Sequence, residues 1–113
     1  MAFNADLEMT DQGIAKITLV GELDGSVAGE FRDRVQEAAD QGAKRLVLLM
    51  KNLVFMSSAG LRVLVFAKQK MGSNVDIYMV GVQEDVLEPI NMTGIDRSVI
   101  LVDEYDAAEI ENI

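Results

Sequence analysis

Hydrophobic positions along the chain switch between a period of two and a helical period. Ala2–Met9 alternates partially and reads as a weak strand. Ile14–Leu23 alternates better, with Ile14, Ile17, Leu19 and Val20 apolar and Lys16 and Thr18 between them. Asp11, Gln12 and Gly13 lie between the two runs and supply a turn, so the pair predicts a hairpin. From Ser26 to Gln41 the period changes. Val27, Phe31, Val35 and Ala38 fall on one helical stripe, and Glu30, Asp33, Arg34, Glu37 and Asp40 lie off it. Gly42 is a suitable helix stop. Lys44–Met50 is too uniformly apolar to leave one face wet and predicts a buried strand.

Between Leu46 and Leu64 an apolar run stops at two hydroxyls, Ser57 and Ser58. Ala59 and Gly60 follow, and a helical pattern continues from Leu61, predicting a helix over Ala59–Met71 that ends near Gly72, Ser73 and Asn74. Val75–Val80 predicts another strand. Glu84–Met92 predicts a helix capped by Gly94, with Pro89 forcing a kink or a late start. Ser98–Val102 predicts a last strand and Tyr105–Glu111 a short terminal helix. The resulting order, β-β-α-β-α-β-α-β-α, implies a single α/β domain over residues 1–113. It has a mixed, mostly parallel sheet of about five strands, an N-terminal hairpin and about four helices. Strand ends in such folds are where sites are built, and Ser57 and Ser58 fall at one.

Composition narrows the chemistry. The chain has 113 residues, enough for one core that buries roughly 65% of the unfolded surface without a staple. It contains no Cys and no His, which removes most zinc sites and every Ser-His-Asp or Cys-His device. Carboxylates alone could still hold Mg²⁺, but no metal, no cofactor and no catalytic activity are expected. Nineteen acids against ten bases leave a net charge of −9. That argues against nucleic acid and anionic membrane surfaces as partners and suits a basic protein. No run reaches the length of a membrane span. Met1–Asp6 lacks the basic start and apolar stretch of a signal peptide, so a cytoplasmic location is expected.

The candidate chemistry gathers around Ser58. A hydroxyl at a helix N-terminus faces unpaired, partly positive N–H groups, and there it can be a plain cap or the acceptor of a phosphate. Ser57 is the second candidate. Gly60 suits either close packing of helix on sheet or close approach by a partner. Asp24 either caps the Ser26 helix or sits at a neighbouring strand end near Ser58 and orients a partner. On the second helix Gly60, Val63, Leu64, Ala67 and Met71 form the core stripe, while Leu61, Val65 and Phe66 fall outside its centre and Arg62, Gln69 and Lys70 lie opposite. Either neighbouring helices cover the three outliers, or they form an apolar patch beside Ser58 of the kind that marks a protein interface. The tail acids Asp103, Glu104, Asp106, Glu109 and Glu111 read as a solvated helix face.

These residues, in this order, resemble the STAS domain, and within it the bacterial anti-sigma factor antagonists. Gly21, Glu22, Leu23 and Asp24 are similar to the family's signature before its first helix. Leu46–Leu61 resembles the strand entering its phosphoacceptor motif, and Gly81, Val82 and Met92–Arg97 resemble its later helix and turn. Leu49 and Ser57 stand where Asp is common in the family, Leu49 at what reads as a strand end. The resemblance implies a protein that, unphosphorylated, binds an anti-sigma factor with serine kinase activity and so frees a sigma factor. It implies phosphorylation at Ser58 to separate the pair, and a metal-dependent serine phosphatase to reverse it. The partner surface would comprise Asp24, Ser57, Ser58, Gly60, Leu61, Arg62 and Phe66. The alternative is a STAS subunit docked in a larger assembly, such as a lipid-transporter complex, with Ser58 as a cap only.

Overall fold

The structure is a computed structural model that describes residues 2–113. Strand β1 (Asn4–Met9) turns back into β2 (Ile14–Leu23) through Asp11–Gly13, as the sequence predicts, and the two pair antiparallel. Helix α1 (Ala28–Asp40), β3 (Arg45–Met56), α2 (Ser58–Met71), β4 (Asp76–Val80), α3 (Glu84–Thr93), β5 (Ile100–Val102) and α4 (Ala107–Ile110) follow, with a 3₁₀ turn at Ile95–Ser98 before β5. The sheet order is β1-β2-β3-β4-β5, parallel from β2 onward. Each crossover steps the same way along the sheet. Right-handed crossovers then put α1, α2 and α3 on one face. Their inward side chains (Phe31, Val35 and Ala38 of α1; Val63, Leu64 and Ala67 of α2; Val86 and Ile90 of α3) share one core with Ile17, Leu19, Leu48 and Met79 of the sheet.

Several element bounds differ from those predicted. β3 does not stop at Met50. It runs on to Met56, and β2 pairs along it with register shifts after Thr18 and after Gly21. Each shift sets an extra β3 residue against β2, so the inward positions change from Leu46, Leu48, Met50 to Leu53 and Met56, three residues apart. Exposed Lys51 and Asn52 at the first shift break the apolar run and hide the strand's continuation. Leu49 is therefore mid-strand, opposite Thr18 and Val80, not at a strand end. α1 starts at Ala28, two residues later than predicted, because Asp24 through Val27 form its entry turn. α3 begins at Glu84 and carries Pro89 inside it, so there is no late start. β1, β5 and α4 are shorter than predicted, and residues 95–98 form the 3₁₀ turn in place of the strand's beginning.

The other sheet face has a smaller core of Ile14, Val47, Tyr78 and Val80, closed by Ile110 of α4. Here the tail is more than a solvated helix face. Asp103, Glu104, Asp106 and Glu109 are exposed, but the segment is fastened to the sheet. Arg45 Nη1 donates to the carbonyl oxygens of Ile110 at 2.8 Å and of Glu109 and Asn112 at 3.3 Å. Its Nη2 lies 3.3 Å from Asp76, and its guanidinium stacks over Tyr78. Lys16 Nζ sits 4.5 Å above the Tyr105 ring and 3.8 Å from Glu111, and Tyr105 Oη donates to Glu111 at 2.5 Å.

Candidate functional site

β3 and β2 end side by side, and the Ser57 N–H donates to the Leu23 carbonyl at 2.8 Å. That bond brings Asp24, Ser57 and Ser58 to one corner. Ser57, not Ser58, is the N-cap residue of α2, with extended backbone, and its carbonyl accepts the first helical bond from Leu61 at 3.1 Å. It does not cap with its side chain. Its Oγ is buried and makes no hydrogen bond. Ser58 is the first helical residue, and its side chain is exposed. Of the two readings of Ser58, the capping one is thus corrected: Ser57, one residue earlier, occupies the cap position, and Ser58 faces solvent. α2 also has no acidic residue in its first turn, whereas α1 has Glu30, α3 has Glu84 and Asp85, and α4 has Glu109. The partly positive N-terminus of α2 is met by neither a capping side chain nor a first-turn carboxylate.

Asp24 is committed locally. Its Oδ1 accepts from Ser26 N at 2.9 Å and Ser26 Oγ at 2.6 Å, and its carbonyl accepts from Ala28 N at 3.1 Å. Donation by the Ser26 hydroxyl, then by its N–H, holds the exposed carboxyl below the ordinary carboxylate value. Of the two readings of Asp24, the turn-forming one is realised. It remains at the rim of the Ser58 corner. Gly60 faces the core: a Cβ there would lie 2.7 Å from Met56 Cγ and 3.0 Å from Leu23 Cδ2, so helix packing on the sheet requires its missing side chain. Its partner-contact reading finds no exposed surface.

The three apolar outliers of α2 separate. Leu61 and Phe66 are half-buried against the main core, whereas Val65 is 42% exposed. Phe66 forms part of a shallow groove of about 220 Å³ between α1 and α2, lined by Ala28, Gly29 and Arg32 on one side and Ala59, Arg62, Val63 and Phe66 on the other. Small residues at the start of both helices leave room for it. Arg32 stands 4.4 Å over the Phe66 ring, and Arg62 is exposed. Among the described residues neither arginine has a hydrogen bond or ion pair. Sequence reasoning reached Arg62 and Phe66 but missed Arg32. The signal was the run of small residues at both helix starts, which lets α1 bring its next turn against α2. It also missed Val54 and Phe55, exposed at 41% and 46% just before Ser57, because the strand was ended too early.

A second cleft of about 500 Å³ lies beside the tail, over the middle of β3 and the end of β4, among Leu49, Lys51, Val80, Asp103, Glu104 and Tyr105. Among the described residues, no three His, Cys, Asp or Glu side chains gather where they could hold a metal ion. Among the described residues, no helix is long and apolar enough to cross a membrane.

Comparison with known proteins places this arrangement. Anti-sigma-F factor antagonist RsfB of Mycobacterium tuberculosis is 26% identical over 86 residues, spanning 76% of this chain and 70% of that protein. An anti-sigma factor antagonist from Mycobacterium paratuberculosis shares the fold with a TM-score of 0.87 at 21% identity, over 98% of this chain and 96% of that one. Bacillus SpoIIAA, an anti-sigma factor antagonist, matches in its unphosphorylated form with a TM-score of 0.81 at 21% identity, over 97% and 98% of the two chains. In its phosphorylated form the values are 0.72 and 20%, over 94% and 97%. The STAS domain model matches residues 8–108, nearly the whole of the sheet and its helices. The chain belongs to the STAS domain family.

Proposed function

We propose that this protein is an anti-sigma factor antagonist switched by phosphorylation of Ser58. The observation that carries the reading is the Ser58 hydroxyl: exposed, on the first residue of α2, beside an uncapped helix N-terminus and next to the α1–α2 groove. A phosphate there adds about −1.5 to −2 charge where the helix dipole favours it. The domain keeps its fold, and the change falls on the partner surface. Unphosphorylated, the surface formed by Ser58, Leu61, Arg62 and Phe66, with Asp24 at its rim, binds an anti-sigma factor that is also a serine kinase. A metal-dependent serine phosphatase restores that form, in the cytoplasm. Ser57 is the alternate acceptor, but its buried Oγ is out of a kinase's reach unless the corner opens. The similarity to RsfB and to SpoIIAA, a protein known in both phosphorylated and unphosphorylated forms, supports the reading.

The test is incubation with a cognate anti-sigma kinase and ATP, followed by peptide mass spectrometry. One phosphate on Ser58 is expected, absent in Ser58→Ala, with circular dichroism unchanged. A phosphate found only on Ser57, or none with a kinase that binds the protein, overturns the assignment.

A further inference from the structure

Among the described residues three of the ten Lys and Arg side chains form ion pairs: Lys16 with Glu111, Arg34 with Glu37 and Arg45 with Asp76. Arg32 and Arg62 are two of the seven that do not, and they are the two that line the same groove. Both stand at one groove whose floor is apolar, Val63 and Phe66, and whose width comes from Ala28, Gly29 and Ala59. Two unpaired guanidiniums over an apolar slot form a local positive site in a protein of net charge −9. Arg62 also stands one helical turn after Ser58. Residues four apart on a helix are neighbours, with Cβ atoms about 5–6 Å apart, and an anion preceding a cation is the favoured order.

We propose that Arg62 couples the state of Ser58 to this groove, and that the groove takes a partner segment in which a carboxylate sits beside an apolar side chain. The proposal rests on the reading of Ser58 as a phosphoacceptor. With Ser58 unmodified, the apolar side chain enters between α1 and α2, and Arg32 and Arg62 meet the carboxylate. With Ser58 phosphorylated, the guanidinium of Arg62 turns to the phosphate, where a forked, charge-assisted pair is available. Two positive groups then face a dianion, the local charge falls to near zero, and the acidic segment loses its attraction. The partner is basic overall, to suit the protein's long-range field, and acidic only where it enters the groove.

The test needs no partner protein. The full chain is prepared with serine or phosphoserine at position 58 and titrated in NMR with two peptides, acetyl-Glu-Leu-Glu-Phe-amide and acetyl-Lys-Leu-Lys-Phe-amide. The acidic peptide is expected to shift the amides of Ala28, Gly29, Ala59 and Phe66, and the basic one to leave them. Phosphorylation or Arg62→Gln should weaken the acidic peptide by about fivefold, the size of a partly exposed ion pair. In ³¹P NMR the phosphate's second ionisation should lie below its ordinary value of about 6, rise part of the way back in Arg62→Gln and stay low in Arg62→Lys. Arg97→Gln should change neither readout. Equal binding of both peptides, or binding indifferent to the phosphate, overturns the groove assignment. A phosphate that titrates identically in Arg62→Gln overturns the coupling. Failure of the functional reading looks different: the groove behaves as described, yet no anti-sigma kinase modifies Ser58.

Discussion

Arg45 and Lys16 on one face of the sheet, and Arg32 and Arg62 on the other, are four cations used in opposite ways. Arg45 spends its guanidinium on three carbonyls of the tail, on Asp76 and on the Tyr78 ring. Lys16 spends its ammonium on Tyr105 and Glu111. Together they pin a segment too short to hold itself: α4 has four residues and a single fully buried side chain, Ile110. Arg32 and Arg62 border a groove and are left with donors to offer. A saturated cation holds structure, and its loss is felt in stability. An unsaturated one beside a slot is available to something outside the chain, and its loss is felt in binding.

The sharpest way to break this contrast is to remove one cation from each face. Arg45→Ala strips the charged donor from the carbonyls of Glu109, Ile110 and Asn112. The expected cost is about 2–3 kcal/mol, since hydrogen bonds to charged groups are worth more than neutral ones. That corresponds to a melting temperature lower by roughly 10 °C or more for a domain of this size. Hydrogen exchange should accelerate through Ala107–Ile110 first. Arg62→Ala should stay within about 0.5 kcal/mol of the parent, as surface changes without partners do. Thermal melts and hydrogen exchange of the two variants check both. If Arg62→Ala costs as much as Arg45→Ala, the groove arginine is structural after all.

Gly60→Ala sharpens the contrast between buried and exposed positions within α2. Its new methyl would meet Met56 Cγ at 2.7 Å, closer than real contacts allow, and the Leu23 side chain at 3.0 Å, a tight contact. The clashing atom is near the root of a buried side chain and cannot swing clear alone, so a loss of about 2–3 kcal/mol is expected, at the upper end of overpacking costs. Ser58→Ala, two residues earlier, is expected to change stability by less than about 0.5 kcal/mol, because its exposed side chain has no partner to lose. Denaturant titration of both variants measures the difference.

The two faces should also differ in alkaline solution. Lys16 is held above its ordinary 10.5, first by hydrogen bonding with Tyr105, with burial opposing and Glu111 adding. Tyr105 is held above its ordinary 10.0, first by burial and then by its bond to Glu111. Each group keeps its proton more tightly folded than unfolded. The stability this confers is fully present below the unfolded values and is lost as pH rises through the raised folded ones. The tail should therefore loosen above about pH 10, where the Lys16–Tyr105 contact begins to lose its protons. Amide spectra from about pH 9 to 11 should change along Tyr105–Glu111 before Ala28–Arg32. The window should narrow in Lys16→Met. Simultaneous change on both faces would mean global unfolding and no separate latch.

The element order, the hairpin and the glycine stops were legible because each rests on local chemistry. Gly42 and Gly94 take left-handed backbone just past α1 and α3, where a side chain would be strained. What stayed hidden depends on partners far along the chain. The extension of β3 to Met56 follows from β2 accepting two extra residues, and no period within Lys51–Met56 signals it. Arg45 meets carbonyls more than sixty residues away, so nothing near it in sequence marks it as a clamp. At the site, the strand-to-helix corner and Ser58 were legible from the hydroxyl pair and the small residues after it. Which serine caps was not, because one residue of phase at the end of a bulged strand decides it.

The smallest expected effect tests that phase directly. A serine at an N-cap ordinarily contributes about 1 kcal/mol through a bond from its oxygen to a first-turn N–H. Ser57 occupies the position without making the bond: its Oγ is buried and unpaired. A buried hydroxyl with no partner carries its desolvation cost and returns nothing. Ser57→Ala should therefore leave the protein unchanged or slightly more stable, within about 0.5 kcal/mol. It should also leave phosphorylation of Ser58 intact. A loss of a full cap's worth in denaturant titration would mean that the Ser57 hydroxyl bonds the helix in solution. The N-terminus of α2 would then be partly satisfied before any phosphate arrives, and the electrostatic argument for Ser58 would weaken by that amount.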